Sequence, residues 1–118
     1  MKKYNVDEMS TKELNNFIAK YLFGDEKIEK EFGECPNFII NYGCVIEEIF
    51  ARWEKWDLST QLKYIPEIGM YKFNIEYPAQ GHLLSEKAKT AGDAVCRCAA
   101  KFVKGHIRHD CWVEEVAE

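Results

Sequence analysis

Apolar residues recur every three to four positions in three stretches of the chain and every second position in two others. The first stretch runs from Ser10 to Phe23. Leu14, Phe17, Ile18, Tyr21 and Leu22 form one stripe at i, i+3, i+4, i+7 and i+8, which predicts an amphipathic helix. Ser10 with Glu13 three residues on is a capping-box pair, and Gly24 is a stop signal. Tyr42 to Trp56 predicts a second helix, with Val45, Ile49, Trp53 and Trp56 on one face, Ile46 and Phe50 widening it, and charges opposite. Between them, Asp25 to Pro36 is crowded with charge and broken by Gly33 and Pro36, and reads as a surface loop, with a short turn of helix as the alternative.

The period then falls from 3.6 to 2. Tyr71, Phe73, Ile75 and Tyr77 alternate with Lys72, Asn74 and Glu76, so Met70 to Tyr77 is a predicted strand with one buried face. A strand around Gln61 to Ile65, joined to it through the turn residues Pro66 to Gly69, completes an antiparallel hairpin. Pro78 to Lys89 reads as a long connection, of the kind that often carries function. A third helix is expected from Ala91 to Lys104, with Val95, Cys98, Ala99, Phe102 and Val103 as its stripe and Gly105 as its stop. The tail from His106 to Glu118 carries Ile107, Trp112, Val113 and Val116. It is expected to dock on its own subunit or on a neighbour. The pattern gives one α/β (α+β) domain over residues 1–118, with its core at about 9–104.

Composition narrows the function classes. The 118 residues are 47% hydrophobic and 31% charged, with a net charge of −4. A packed core can form, and a protein that coats duplex nucleic acid or an anionic membrane is disfavoured, because both need a cationic face. No apolar run reaches the roughly 18 residues of a membrane span. Residues Met1 to Glu8 lack an apolar core for a signal peptide, and the cysteine count of five is odd, so reduced thiols in a cytosol are expected.

Three features are candidates for chemistry. Thr90-Ala91-Gly92-Asp93 opens the third helix: Thr90 is an N-cap, free N–H groups follow, and Gly92 would let a phosphate or ribose come close to the backbone. Asp93 would either hydrogen-bond ribose hydroxyls or complete a capping box. His106, His109, Asp110, Cys111, Cys96 and Cys98 are zinc-ligand types, but Cys96 and Cys98 point about 200° apart on a helix, so a metal site is not expected. Arg108 stands in the tail, where a guanidinium can reach a phosphate. Tyr77 ends its strand at the edge of the connection. No Walker loop, Gly-x-Gly-x-x-Gly, His-Glu-x-x-His or Gly-x-Ser-x-Gly is present, and no enzyme is expected.

The order of elements carries a resemblance. It rests on Met9-Ser10-Thr11-Lys12-Glu13-Leu14-Asn15, the Tyr42 to Trp56 helix, Met70-Tyr71-Lys72-Phe73-Asn74-Ile75, and above all Thr90-Ala91-Gly92-Asp93-Ala94-Val95-Cys96-Arg97-Cys98-Ala99-Ala100-Lys101. Residues 9–104 resemble the phage ABA-sandwich proteins, in which an antiparallel β-sheet is flanked by helices in an α-β-α sandwich and the last helix opens on a Thr/Ala-rich cap before a Cys-Arg pair. The Gln80 to Lys89 stretch and the tail after Gly105 depart from the shortest members. Within that group the chain is similar to the Thoeris anti-defence sponge proteins, which bind cyclic ADP-ribose isomers, and in related members cyclic oligonucleotides of the CBASS defence systems, without cleaving them.

The resemblance implies a phage protein acting in the cytoplasm of the infected bacterial host, a homo-oligomer (dimer or hexamer), and no cofactor. It also implies ligand contacts at Thr90, Ala91, Gly92, Asp93 and Arg108, with Lys27 and His82 as further contacts. The alternative is a phage protein–protein module that blocks a host enzyme by surface contact.

Overall fold

Helix α1 (Thr11–Phe17) begins as its capping box dictates. The Ser10 hydroxyl accepts the Glu13 backbone N–H at 3.1 Å, and the Glu13 carboxylate accepts the Ser10 N–H at 2.8 Å. The helix then widens into a π-helical segment, Ile18–Phe23, closed by a Gly24 N–H donating to the Ala19 carbonyl at 2.8 Å. The computed structural model describes residues 6–77 and 82–107. Arg108 and the rest of the tail lie outside them.

The chain turns at Gly24, whose φ of 91° suits a residue without a Cβ. Where a charged loop was expected, Asp25–Phe32 forms helix α2. Asp25 and Glu26 fall in its first turn, where the helix dipole favours them. Ile28 is buried, and Phe32 packs edge-on against Phe23 and Phe38, whose rings stack at 4.6 Å. That aromatic trio supplies the apolar face that the charged spacing hides.

Helix α3 (Tyr42–Arg52) is followed by a 3-10 turn, Glu54–Trp56, so the expected second helix is split at Trp53. Arg52 folds back to donate to the Tyr21 and Leu22 carbonyls at 2.9 and 2.8 Å. These oxygens lie near the end of the π segment, where carbonyls run out of partners within the helix.

Strands β1 (Ser59–Ile65), β2 (Met70–Tyr77) and β3 (His82–Ala88) form one antiparallel sheet in the order β1-β2-β3. The β1–β2 hairpin is the expected one. Strand β3 occupies most of the stretch read as a connection. Its inward positions are Leu84, Glu86 and Ala88, opposite Ile75, Phe73 and Tyr71, too mixed a set to announce a strand.

Helix α4 (Ala91–Ile107) runs on past its expected stop at Gly105. It packs against β2 and β3 on one side, and α1, the π segment and α3 pack against α4. The layers are therefore sheet, α4, then the remaining helices, in the α+β class that the pattern indicated. Ala94, Val95, Cys96, Cys98, Ala99, Ala100, Phe102 and Val103 are all buried, so α4 is covered around most of its girth.

The second face of the sheet carries Gln61, Lys63, Lys72, Asn74, Ser85 and Lys87, all exposed or half-exposed. Its register aligns Lys63 with Lys72 and Lys72 with Lys87, and likewise Gln61 with Asn74 and Asn74 with Ser85.

Candidate functional site

The opening of α4 forms as expected and is then filled from within the chain. Thr90 Oγ1 accepts the Asp93 N–H at 3.2 Å, capping the helix. Gly92 is buried, and a Cβ built on it would lie 1.6 Å from the Ile39 carbonyl oxygen. The close approach that Gly92 permits is thus made by the backbone of the turn at residues 37–41. Asp93 Oδ1 is buried and lies 2.8 Å from Arg97 Nε, in an ion pair without the alignment of a hydrogen bond. The remaining guanidinium nitrogens of Arg97 donate to the Val6 and Met9 carbonyls at 2.7 and 3.0 Å. Asp93 and Arg97 thereby tie the N-terminal 3-10 turn (Val6–Glu8) to α4. Half-buried Ala91 is the first residue of that helix.

The other expected contacts are dispersed. Lys27 Nζ sits 2.7 Å from Glu48 Oε1 and 3.8 Å from Glu31 Oε2, which joins α2 to α3. The hydrogen bond to Glu48 raises its pKa over the opposing effect of burial. His82 begins β3 opposite Tyr77, and both side chains lie outside the described set. Arg108 lies outside the described residues altogether.

Cys96 and Cys98 are both core residues. Cys96 donates to the Phe38 carbonyl at 3.4 Å and Cys98 to the Leu84 carbonyl at 3.6 Å, on opposite sides of α4. Burial pushes each thiol up to about 12, which keeps them protonated and poor nucleophiles at neutral pH. Among the described residues no cluster of three or more His, Cys, Asp or Glu could hold a metal ion.

A concavity lies next to the α4 opening, on the far side of Ile39. A cleft of about 410 Å³ is lined by Thr11, Lys12, Asn15, Asn16, Cys35, Pro36, Asn37 and Ile39. Asn15 builds it: Oδ1 accepts the Phe38 N–H at 2.6 Å and Nδ2 donates to the Pro36 carbonyl at 3.0 Å. Those two bonds hold the 35–39 turn against α1. Asn37 Oδ1 accepts the Ile39 N–H at 3.0 Å, and the Asn37 carbonyl accepts from the Asn41 amide at 3.0 Å, so the turn is stiffened from within. Lys12 has no ion-pair partner among the described residues. A second cleft of about 190 Å³, lined by Met9, Glu13, Asn16, Phe17, Lys20 and Tyr21, meets the first at Asn16. Together they offer two ammonium groups, hydroxyl and amide donors, an aromatic edge and one carboxylate, Glu13, which accepts the Ser10 N–H.

Sequence reasoning named Asn15 only as part of the opening of a helix and did not single out Asn16. The available signal was the pair of amides on α1 and the Cys35-Pro36-Asn37 turn, which only the fold brings together. No family model, characterised protein or solved structure matches the chain.

Proposed function

We propose that the protein binds a small phosphorylated ligand of the cyclic nucleotide type, cyclic ADP-ribose isomers or cyclic oligonucleotides, and sequesters it intact. In this reading it is a phage anti-defence protein at work in the bacterial cytoplasm. The observation that carries the reading is the α1 cleft, where Lys12, Thr11, Asn16 and Asn37 surround a space of about 410 Å³. That volume is within the range of small-molecule sites. An ammonium and several amides can hold phosphate and ribose by hydrogen bonds, which is the chemistry retention requires.

The cleft is at the small end of that range, so enclosing a dinucleotide takes surface from a second copy, and a homo-oligomer is part of the proposal. The α4 opening contributes indirectly. Gly92 seats Ile39, and Ile39 forms one wall of the cleft.

Calorimetry with cyclic ADP-ribose isomers and cyclic dinucleotides tests the reading, with ligand recovered from denatured protein analysed by mass spectrometry. Saturable binding, an unchanged ligand, and a loss of about tenfold in affinity for Lys12→Gln are expected. Absence of binding removes the reading, and a chemically altered ligand replaces sequestration with catalysis. The second reading, a module that docks on a host enzyme, is favoured by Ile40, which is 72% exposed beside the cleft-lining Ile39. It predicts activity that survives Lys12→Gln and is lost in Ile40→Asp.

A further inference from the structure

A row of lysines stands on the side of the sheet that faces away from α4. Lys63, Lys72 and Lys87 are direct cross-strand partners on the outward face of the sheet. Like charges placed directly opposite one another oppose sheet formation, and here three stand in one row of an acidic protein. None of them forms an ion pair among the described residues. The only carboxylate on the same face of β2 is Glu76, four residues from Lys72 and bonded to the Ser59 hydroxyl at 3.5 Å. At about 3.4 Å per residue that is about 14 Å along the strand, farther than the roughly 8 Å over which charges act in physiological salt.

Beside the lysines lies a neutral row. Ser85 donates to Asn74 Oδ1 at 2.7 Å, which orients the Asn74 amide so that its NH2 group remains a donor. Gln61 completes that row on β1.

We propose that this open sheet face binds a compact, multiply phosphorylated small molecule, with Lys63, Lys72 and Lys87 on adjacent phosphates and Gln61, Asn74 and Ser85 on its ester or hydroxyl oxygens. The dimensions favour that occupant. Three adjacent strands place the outer lysines about 10 Å apart at the backbone, and their flexible four-carbon stems can converge from there on a compact polyphosphate. Among the described residues of the sheet, the lysine row is bounded by the amide row on one side and by Ile65 and Met70 on the other, which suits a compact occupant better than a polymer. The inference goes beyond the sequestration reading and does not rest on the α1 cleft.

Titration of the full chain with sodium tripolyphosphate at low salt, followed by calorimetry and by amide chemical shifts, tests it. Saturable binding is expected, weakened by added salt, with the largest shifts in β1, β2 and β3. The triple variant Lys63→Gln, Lys72→Gln, Lys87→Gln is expected to lose on the order of tenfold or more in affinity. Lys30→Gln, which removes one exposed charge from α2, is expected to bind as the parent does. Should the triple variant fail to fold, Lys72→Gln alone is expected to weaken binding severalfold, and unchanged affinity in it overturns the proposal. So does the absence of saturable binding, or equal losses in Lys30→Gln and Lys72→Gln. Tighter binding of a single-stranded RNA of about 20 nucleotides, rising with its length, would assign the face to a polymer instead.

Discussion

The carbonyl oxygen of Ile39 occupies the space that a side chain at position 92 would need: a Cβ on Gly92 would stand 1.6 Å from it and 2.6 Å from its carbon. Alanine within a helix is favoured over glycine by about 1 kcal/mol. The clash reverses that sign, because the neighbour is backbone held by the Asn15 bonds and cannot swing aside. Gly92→Ala is therefore expected to destabilise the domain by about 2 kcal/mol or more, read as a lowered urea midpoint. A midpoint that rises would mean that the 37–41 turn yields easily.

Arg97 holds two carbonyls and one carboxylate at once, through a planar fork that an ammonium cannot copy. Arg97→Lys is expected to cost about 1–2 kcal/mol and to speed hydrogen exchange at Val6 to Met9 more than in the sheet. Uniform exchange changes would contradict a local anchor.

The two α4 thiols give the domain an alkaline limit. Their pKa values are raised from 9.0 to about 12 by burial, so the unfolded chain loses those protons first. Their contribution to stability is complete below pH 9 and is lost as pH rises towards 12. Lys101 acts in the same direction. Burial lowers its pKa, but the bonds to Asp7 and Glu86 outweigh that and leave it raised above 10.5. The melting temperature is expected to fall steadily above pH 9 and less steeply in Cys98→Ala. At pH 8 a thiol reagent is expected to modify exposed Cys35 well before Cys96 or Cys98.

The lysine row has a stability side as well. Two ammonium groups about 5 Å apart in water repel by less than about 1 kcal/mol, and solvent exposure reduces this further. Lys72→Gln is expected to raise stability by a few tenths of a kcal/mol, measured by chemical denaturation without phosphate. A loss of stability would show that the lysine stems pack usefully on the sheet.

The elements legible in the sequence are those whose own residues decide them. Ser10 with Glu13 marks the start of α1, and Tyr71, Phe73 and Ile75 mark β2. Helix α2 was hidden because its partners are remote, with Lys27 meeting Glu48 and Phe32 meeting Phe38. Strand β3 was hidden because Glu86, an inward position, is made tolerable by Lys101 on α4. The π segment leaves the apolar spacing of α1 unchanged, so periodicity alone does not reveal it. At the α4 opening, Gly92 was read as a place where a phosphate or ribose comes close to the backbone, and the Ile39 carbonyl stands there instead. Whether a ligand or the chain itself makes that approach depends on a turn some fifty positions away. The cleft was out of reach for the same reason, since Asn15 and Pro36 meet only after folding.

Helix α4 lies between the sheet and the other helices, yet every other described element precedes it in the chain. The Phe23, Phe32 and Phe38 cluster packs within the helical layer, but the faces that meet α4 stay uncovered until it arrives, in the sheet and in the N-terminal helices alike. The domain is thus committed to assembling late and in a single cooperative step. A chain cut short before residue 91 would carry two uncovered apolar faces where the complete protein has one fold.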